Sequence, residues 1–144
     1  MTISPRDNEA YRFPVSVKGV VIRGGKVILL RNEREEWELP GGKLEESESP
    51  ERCLAREIAE ELRLAVEPES ILDSWLYTIV PGVAVLVITY GCVESSRAEP
   101  VLSSEHKELR WFPLTEIDSL SMPEGYKASI KSWSGRLQAG GRQI

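Results

Sequence analysis

The segment from Ser49 to Arg63 restricts the fold most strongly, because its pattern is that of a helix with one apolar side. Ser49 is a good N-cap, and Pro50 fits the first turn, where a missing backbone N–H costs nothing. One apolar stripe repeats every four positions: Leu54, Ile58 and Leu62. A helix from Pro50 to about Arg63 with so narrow a stripe must cover another element of the core.

Strand-like segments lie on both sides of this helix in the sequence. They are rich in β-branched residues, and glycine or proline pairs separate them, including Gly24-Gly25, which suits a tight hairpin turn. The predicted strands span residues 15–22, 27–30, 37–39, 71–80, 83–94 and 109–112; a short helix or turn spans 113–120, and a last helix 123–133. This order predicts an α/β fold, an α/β/α sandwich in which helices cover both faces of a mixed β-sheet.

Length and charge limit the classes of function. The 144 residues predict one domain over residues 1–144, with loose termini at about 1–10 and 135–144. A net charge of −5 argues against binding of a nucleic acid polymer. The first ten residues lack an apolar signal segment, and no apolar run is long enough to span a bilayer. With two widely spaced cysteines, Cys53 and Cys92, these features predict a cytoplasmic protein with reduced core thiols.

Three carboxylates share one side of the predicted helix. At about 100° per residue, Glu60 lies about 60° to one side of Glu57, and Glu61 lies about 40° to the other, next to the apolar stripe. Such a face is expected where the helix meets the sheet. Neighbouring carboxylates repel each other, and a divalent cation with a preference for oxygen ligands, Mg²⁺ or Mn²⁺, removes that cost. Three glutamates at this spacing alone are more often a solvated helix face.

The spacing of these glutamates together with the residues before them is more specific than any one of these residues alone. Gly42 is followed by five residues and Glu48, then by seven residues and the run Arg56-Glu57-Ile58-Ala59-Glu60-Glu61. This pattern, from Gly42 to Leu64, resembles the Nudix box of the Nudix hydrolases and matches eight of its nine specified positions. The departure is Arg63, where the family has glycine. A residue just past a helix often adopts the left-handed conformation, which costs a non-glycine residue roughly 1 kcal/mol.

The resemblance implies an α/β/α sandwich and an activity. Nudix hydrolases cleave a nucleoside diphosphate linked to another group, X, by attack of water on phosphorus. The resemblance also implies a cofactor, Mg²⁺ with Mn²⁺ possible, and a set of ligands: Gly41, Glu57, Glu60 and Glu61. It further implies that Glu48 and Arg56, beside Gly42, brace the loop against the helix. The alternative is a non-catalytic nucleotide-binding or regulatory Nudix domain; such domains usually lose a box glutamate, and none is lost here.

The base that accepts the proton of water stays open at this stage. In the family it lies either in the box, here Glu60 or Glu61, or on a later loop, here Glu105 or Glu108. Glu105 ranks slightly higher than Glu108, which is expected to lie in the strand before Trp111. His106, the sole histidine, is expected on the surface, with contact to a base or phosphate as the alternative. Cys53 is expected to be a small packing residue.

The substrate is only weakly indicated. Weak candidates for substrate contact are two cationic and two aromatic residues: Arg34, Lys43, Trp37 and Tyr77. Aromatic residues in strands are usually core. The substrate classes left open are nucleoside triphosphates, nucleotide sugars such as ADP-ribose, and dinucleotides. A homodimer is possible if a long strand such as Val83 to Glu94 forms an exposed edge.

Overall fold

The computed structural model describes residues 10–142, so the expected loose ends at residues 1–9 and 143–144 lie outside the described residues. Within residues 10–142 there are seven strands: β1 Val15–Arg23, β2 Lys26–Arg31, β3 Trp37–Glu38, β4 Gly41–Lys43, β5 Val66–Val80, β6 Val83–Glu94 and β7 Glu108–Pro113. Two α-helices, α1 Pro50–Leu62 and α2 Glu124–Ala139, and a 3-10 helix, Leu114–Ser119, complete the described part. None of these helices has the length and apolar character needed to cross a membrane.

β1 organises the sheet. It pairs in parallel with β6 through residues 15–21, and β6 pairs antiparallel with β5. The opposite edge of β1 is shared: β4 pairs with residues 16–18, and β2 pairs with residues 22–23. β3 and β7 both pair with β2. The sheet is therefore mixed, as predicted, and the short strands β3 and β4 hold the glycine-rich segment against its centre.

Two apolar clusters cover the two faces of the sheet. The predicted stripe of α1 packs on one face, over Val17, Val21 and Tyr90. α2 packs on the other face through Tyr126, Ile130, Trp133 and Leu137, together with Val20 and Phe112. Adjacent residues of β1 and β2 alternate between the clusters, as the period of a strand requires. The α/β/α sandwich is confirmed.

Several predicted boundaries are corrected. α2 continues to Ala139 rather than Trp133, so residues 135–139, expected to be loose, are helical; Leu137 is buried in the core. β5 begins at Val66, before the predicted start, because register shifts next to Pro68 allow the strand to pass this residue. The strand Val83–Glu94 is not an edge, since it lies between β1 and β5. The edge strand on that side is β5.

The two cysteines are free and buried, as predicted. Burial raises the pKa of the Cys53 thiol and that of the Cys92 thiol to about 12. Cys53 packs in the core under α1 and donates a hydrogen bond to the carbonyl oxygen of Lys43 at 3.4 Å. The prediction that Cys53 is a packing residue is confirmed.

The end of α1 has the backbone conformation that glycine favours. Arg63 has φ 56° and ψ 32°, and its N–H donates to the carbonyl of Ala59. We expect Arg63→Gly to raise the free energy of unfolding by about 1 kcal/mol, because the left-handed conformation is strained only for residues with a Cβ. Thermal and urea unfolding of the variant measure this gain. Arg63→Ala is the control, since it keeps the Cβ and is not expected to stabilise; a lower melting temperature for Arg63→Gly contradicts the prediction.

Candidate functional site

One cleft collects most of the predicted site residues. It has a volume of ≈ 610 Å³ and is bounded by α1, by β1, β3 and β4, and by residues 103–106 before β7. We call it the acidic cleft, because six glutamates line it: Glu38, Glu45, Glu57, Glu60, Glu61 and Glu105. The cations that line it are Lys18, Lys43 and Arg56. Acidic groups therefore outnumber the permanent cations two to one, which favours a cationic ligand.

Two glycines of β4 allow close approach here, Gly41 to the backbone of β1 and Gly42 to a side chain of α1. Gly41 has φ +147°, and a Cβ on it would lie 1.9 Å from the carbonyl oxygen of Val17. A Cβ on Gly42 would lie 2.3 Å from the carboxyl carbon of Glu57. Both distances are far below any real contact. Glycine at position 41 therefore allows β4 to lie close to β1, and glycine at position 42 allows the Glu57 carboxylate to lie against β4.

The three carboxylates of α1 differ in exposure in the order expected from the helical wheel. The Glu61 side chain, nearest the apolar stripe, is 6% exposed, that of Glu57 is 21% exposed, and that of Glu60 is 62% exposed. The acidic face thus runs from the core to solvent, and the prediction that it borders the sheet is confirmed. Only Glu61, at the inner end of this face, lies where water cannot stabilise its charge.

Arg56 ties the loop before α1 to the helix. Its Nε donates to Oε2 of Glu48 at 3.1 Å and its Nη2 to Oε1 at 2.8 Å, a bidentate pair. Oε1 of Glu48 also accepts the backbone N–H of Glu45 at 3.0 Å. The hydrogen bonds from Arg56 lower the pKa of Glu48 to about 2. The geometry is that of a brace between loop and helix.

The same guanidinium reaches the acidic face. Nη1 of Arg56 lies 3.1 Å from Oε1 of Glu57 and 3.3 Å from Oε2 of Glu60. Burial raises the pKa of Glu57, and the charges of Glu60 and Glu105 add to this effect, while Arg56 opposes it. Arg56 therefore partly neutralises the outer two carboxylates and does not contact Glu61.

Glu61 belongs to a second, buried set of charged groups. Its Oε1 accepts the backbone N–H of Gly41 at 3.1 Å, and its Oε2 lies 3.5 Å from Nδ1 of His106. On its other side His106 places Nε2 2.8 Å from Oε1 of Glu38, which lies 4.0 Å from Nζ of Lys18. These groups form a line from β1 through β3 and the 103–106 segment to α1.

Charge is distributed unevenly along this line. Burial, which alone would raise the pKa of Glu38, is outweighed by the hydrogen bond with His106 and the charge of Lys18, and the pKa falls to about 2. The hydrogen bond to Glu38 raises the pKa of His106. For Glu61 burial dominates over Lys18 and His106, and its pKa rises to about 7. Burial therefore outweighs the partners of the Glu61 carboxylate and disfavours its charged form.

The donor atoms in the cleft are of the type that a hard divalent cation prefers. Glu57, Glu60, Glu61 and Gly41 all line the acidic cleft and offer oxygen atoms, which Mg²⁺ and Mn²⁺ prefer. Within residues 10–142, no three acidic, histidine or cysteine side chains converge tightly enough to be a ready-made metal group. Arg56 donates hydrogen bonds to Glu57 and Glu60, so these carboxylates point toward the guanidinium.

The other predicted residues divide between the cleft and the core. Glu105 and Lys43 line the acidic cleft, and Arg34 lines a smaller adjoining cavity of ≈ 200 Å³. Trp37 and Tyr77 do not line either cavity: Trp37 packs edge-on against Phe112, and Tyr77 packs against the cluster under α2. The substrate role of these two aromatics is therefore not supported. Glu108 begins β7 and pairs with Arg31 and Arg110, outside the cleft, as its lower rank anticipated.

Sequence reasoning missed two charged residues of the cleft and misjudged the exposure of a third residue. Lys18 and Glu38 were not singled out, and the expectation that His106 lies on the surface is wrong, since its side chain is 11% exposed. A signal for Lys18 is present: it is the sole cation inside the valine-rich stretch of β1, in phase with the buried Val20. Glu38, between the buried Trp37 and Leu39, carries a similar signal.

Comparisons with known proteins agree with this geometry. The family model described as the NUDIX domain matches residues 12–133. A protein from Streptomyces ambofaciens described as MutT-like is 38% identical over 114 residues, which are 78% of this chain and 71% of that protein. A Mycobacterium tuberculosis protein described as putative 8-oxo-dGTP diphosphatase 3 is 33% identical over 96 residues, 65% of this chain, and this match spans less than half, 44%, of that protein.

Solved structures show the same fold. A MutT protein from Methanosarcina mazei Go1 superposes with a TM-score of 0.73 at 25% identity, covering 86% of this chain and 94% of that one. A MutT NUDIX hydrolase from Burkholderia pseudomallei gives a TM-score of 0.70 at 26% identity, covering 85% and 98%. Fold, site and family match agree. The chain belongs to the Nudix family and is a Nudix-type hydrolase, which acts on a phosphoric anhydride bond.

Proposed function

We propose that this protein is a Mg²⁺-dependent pyrophosphohydrolase that cleaves a nucleoside diphosphate linked to X, and that X is phosphate, so that the substrate is a nucleoside triphosphate. The family acts on small nucleotides and generally uses divalent metal ions. The observation that carries the proposal is the graded acidic face of α1, on which exposure falls from Glu60 through Glu57 to the buried Glu61, in a cleft lined by six glutamates.

The choice of a triphosphate has its own support. Relatives from Mycobacterium tuberculosis and Proteus vulgaris are described as 8-oxo-dGTP diphosphatases, the latter 50% identical over 38 residues. Lys43 lies in the cleft and Arg34 in the cavity beside it, and both suit contact with phosphate groups. Nucleotide sugars such as ADP-ribose and dinucleotides are the competing classes for the same site.

Four residues would hold the cation: Gly41, Glu57, Glu60 and Glu61. When bound, a divalent ion stabilises charge on phosphoryl oxygens and acidifies water. Arg56 and Glu48 keep the loop and α1 in register, and Gly42 leaves room for Glu57. The base we propose is Glu105, which lines the cleft near Glu57 and makes no ion pair with another described residue. It accepts the proton of the attacking water, and Glu60 or Glu61 is the alternative base.

Location and assembly are also proposals. We propose a cytoplasmic location, which the free, buried Cys53 and Cys92 support. One domain over residues 1–144 is consistent with the single mixed sheet of the described residues. The possible homodimer stays a prediction, and the strand available for it is β5, whose exposed apolar residues include Leu76 and Val80.

Incubation with a substrate panel in Mg²⁺ or EDTA tests the activity. The panel contains nucleoside triphosphates including 8-oxo-dGTP, nucleotide sugars and dinucleotides, and chromatography identifies the products. We expect a nucleoside monophosphate and pyrophosphate from a triphosphate, with turnover lost in EDTA and restored by excess Mg²⁺. Turnover of another class alone overturns the substrate choice. Nucleotide binding without turnover in Mg²⁺ or Mn²⁺ contradicts the enzymatic proposal and supports the non-catalytic alternative.

A further inference from the structure

His106 contacts two buried carboxylates that belong to different elements. Its Nε2 lies 2.8 Å from Oε1 of Glu38 on β3, and its Nδ1 lies 3.5 Å from Oε2 of Glu61 on α1. The three side chains are 11%, 15% and 6% exposed, in the order His106, Glu38, Glu61. Water therefore has little access to the contacts, and a side chain held this way cannot reorient freely.

Glu38 is a fixed anchor for the imidazole. Its Oε2 accepts a hydrogen bond from Nδ2 of Asn32 at 3.2 Å, while its Oε1 faces His106 and, at 4.0 Å, Lys18. Both oxygens thus have partners, which sets the plane of the carboxylate. This carboxylate in turn orients the imidazole, because Nε2 of His106 is bound to its Oε1.

The free end of the imidazole is aimed at Glu61. Nδ1 of His106 is buried and has no hydrogen-bond partner among the described residues, and Oε2 of Glu61 is an acceptor 3.5 Å away. The other oxygen of Glu61 is held by the N–H of Gly41. A small tightening of the His106 contact is sufficient to fix both oxygens of this carboxylate.

We propose that His106 is a positioning residue, which is anchored on Glu38 and holds the Glu61 carboxylate in the orientation that the acidic cleft requires. This inference rests on the proposed function, in which Glu61 is a metal ligand. Outer residues that orient metal ligands typically contribute about 10–100-fold to metal affinity or activity. The segment before β7 thereby contributes two residues to the site: the proposed base, Glu105, and the positioning residue, His106.

Three variants separate the two ends of the imidazole. His106→Ala is expected to lower kcat about 10–100-fold with little change in KM, and to weaken Mn²⁺ binding to the substrate-free protein by a similar factor. His106→Asn keeps a polar nitrogen near the position of Nδ1 and is expected to restore part of both losses. His106→Gln keeps one near the position of Nε2, which faces Glu38, and is expected to restore less.

Lys107→Ala is the matched control, since Lys107 is the next residue and its exposed side chain pairs with Glu35. It is expected to leave kcat and Mn²⁺ affinity within about twofold of wild type. Unchanged kcat and Mn²⁺ affinity in His106→Ala, with only a lower melting temperature, overturn the positioning role. If the wild-type protein hydrolyses nothing in the panel, the proposed function fails separately, and the Mn²⁺ titrations by calorimetry still decide the role of His106.

Discussion

Glu61→Gln is expected to abolish turnover and, at the same time, to stabilise the metal-free protein at pH 8. Gln keeps an oxygen that accepts the N–H of Gly41, so the local fold is retained. It removes the charge that the proposed metal ligand contributes. It also removes a carboxylate whose ionised form is destabilised by burial, and this removal stabilises the folded protein.

The stability gain depends on pH in a defined direction. The folded protein raises the pKa of Glu61 from 4.5 to about 7, so between these values the folded state binds more protons than the unfolded state. The free energy of unfolding of the wild type therefore falls as the pH rises from 4.5 to 7. Relative to wild type, Glu61→Gln gains little near pH 4.5 and gains most above pH 7, on the order of 3 kcal/mol.

Urea unfolding in EDTA at several pH values, together with the hydrolysis assay, measures both effects. Glu60→Gln is the matched control on the same helix, because its side chain is 62% exposed. Its free energy of unfolding is expected to differ from that of wild type by less than about 1 kcal/mol, because an exposed ion pair such as that of Glu60 with Arg56 contributes little. Wild-type turnover by Glu61→Gln would show that Glu61 is not needed for the reaction. A stability difference that does not depend on pH would show that the burial of the Glu61 charge is not the cause of the stability gain.

Gly42→Ala is expected to lower kcat by about 100-fold, because displacement of a reacting group by about 1 Å has effects of this size. The added methyl group would lie 2.3 Å from the carboxyl carbon of Glu57, so this side chain must leave its position. Forced overpacking of this kind also costs about 1–3 kcal/mol in stability. Steady-state kinetics and thermal unfolding measure the two losses.

Gly135→Ala provides the comparison for Gly42→Ala. Gly135 lies in α2, and a Cβ there meets no atom within 4 Å. Because alanine favours a helix over glycine by about 1 kcal/mol, this variant is expected to be slightly more stable and fully active. Full activity in Gly42→Ala, with Glu57 still in the cleft, would show that the close approach of β4 and α1 is not needed for the reaction.

The parts of the site that were predictable from the sequence lie close together along the chain. The stripe of α1 and the order of burial of its glutamates follow from the period of a single helix, and the cap follows from the side chain of Ser49. The brace between Glu48 and Arg56 is also local, since the two residues are eight positions apart. Periodicity determines the contacts within the helix without knowledge of the sheet, whereas the brace was implied by the resemblance to the Nudix box.

The contacts that were missed join distant segments. Lys18, Glu38 and His106 meet only because β1, β3 and the segment before β7 converge, and no spacing rule relates positions 68 residues apart, as Glu38 and His106 are. A polar residue in an apolar strand signals a buried partner but does not identify it. The expected edge at Val83–Glu94 failed for the same reason, because strand order depends on the parallel pairing of β6 with β1.

This parallel pairing also determines when contacts of β1 can form while the chain is synthesised. Val15 has its partner at Leu86 and Val21 at Cys92, so β1 waits unpaired on that edge until most of the chain has left the ribosome. Contacts between distant residues form slowly, because loop closure precedes any gain from them. The residues of the box emerge early, but the acidic cleft is closed only after His106 has been translated. A nascent chain therefore carries the glutamates of α1 for some time before the other residues that line the acidic cleft are present.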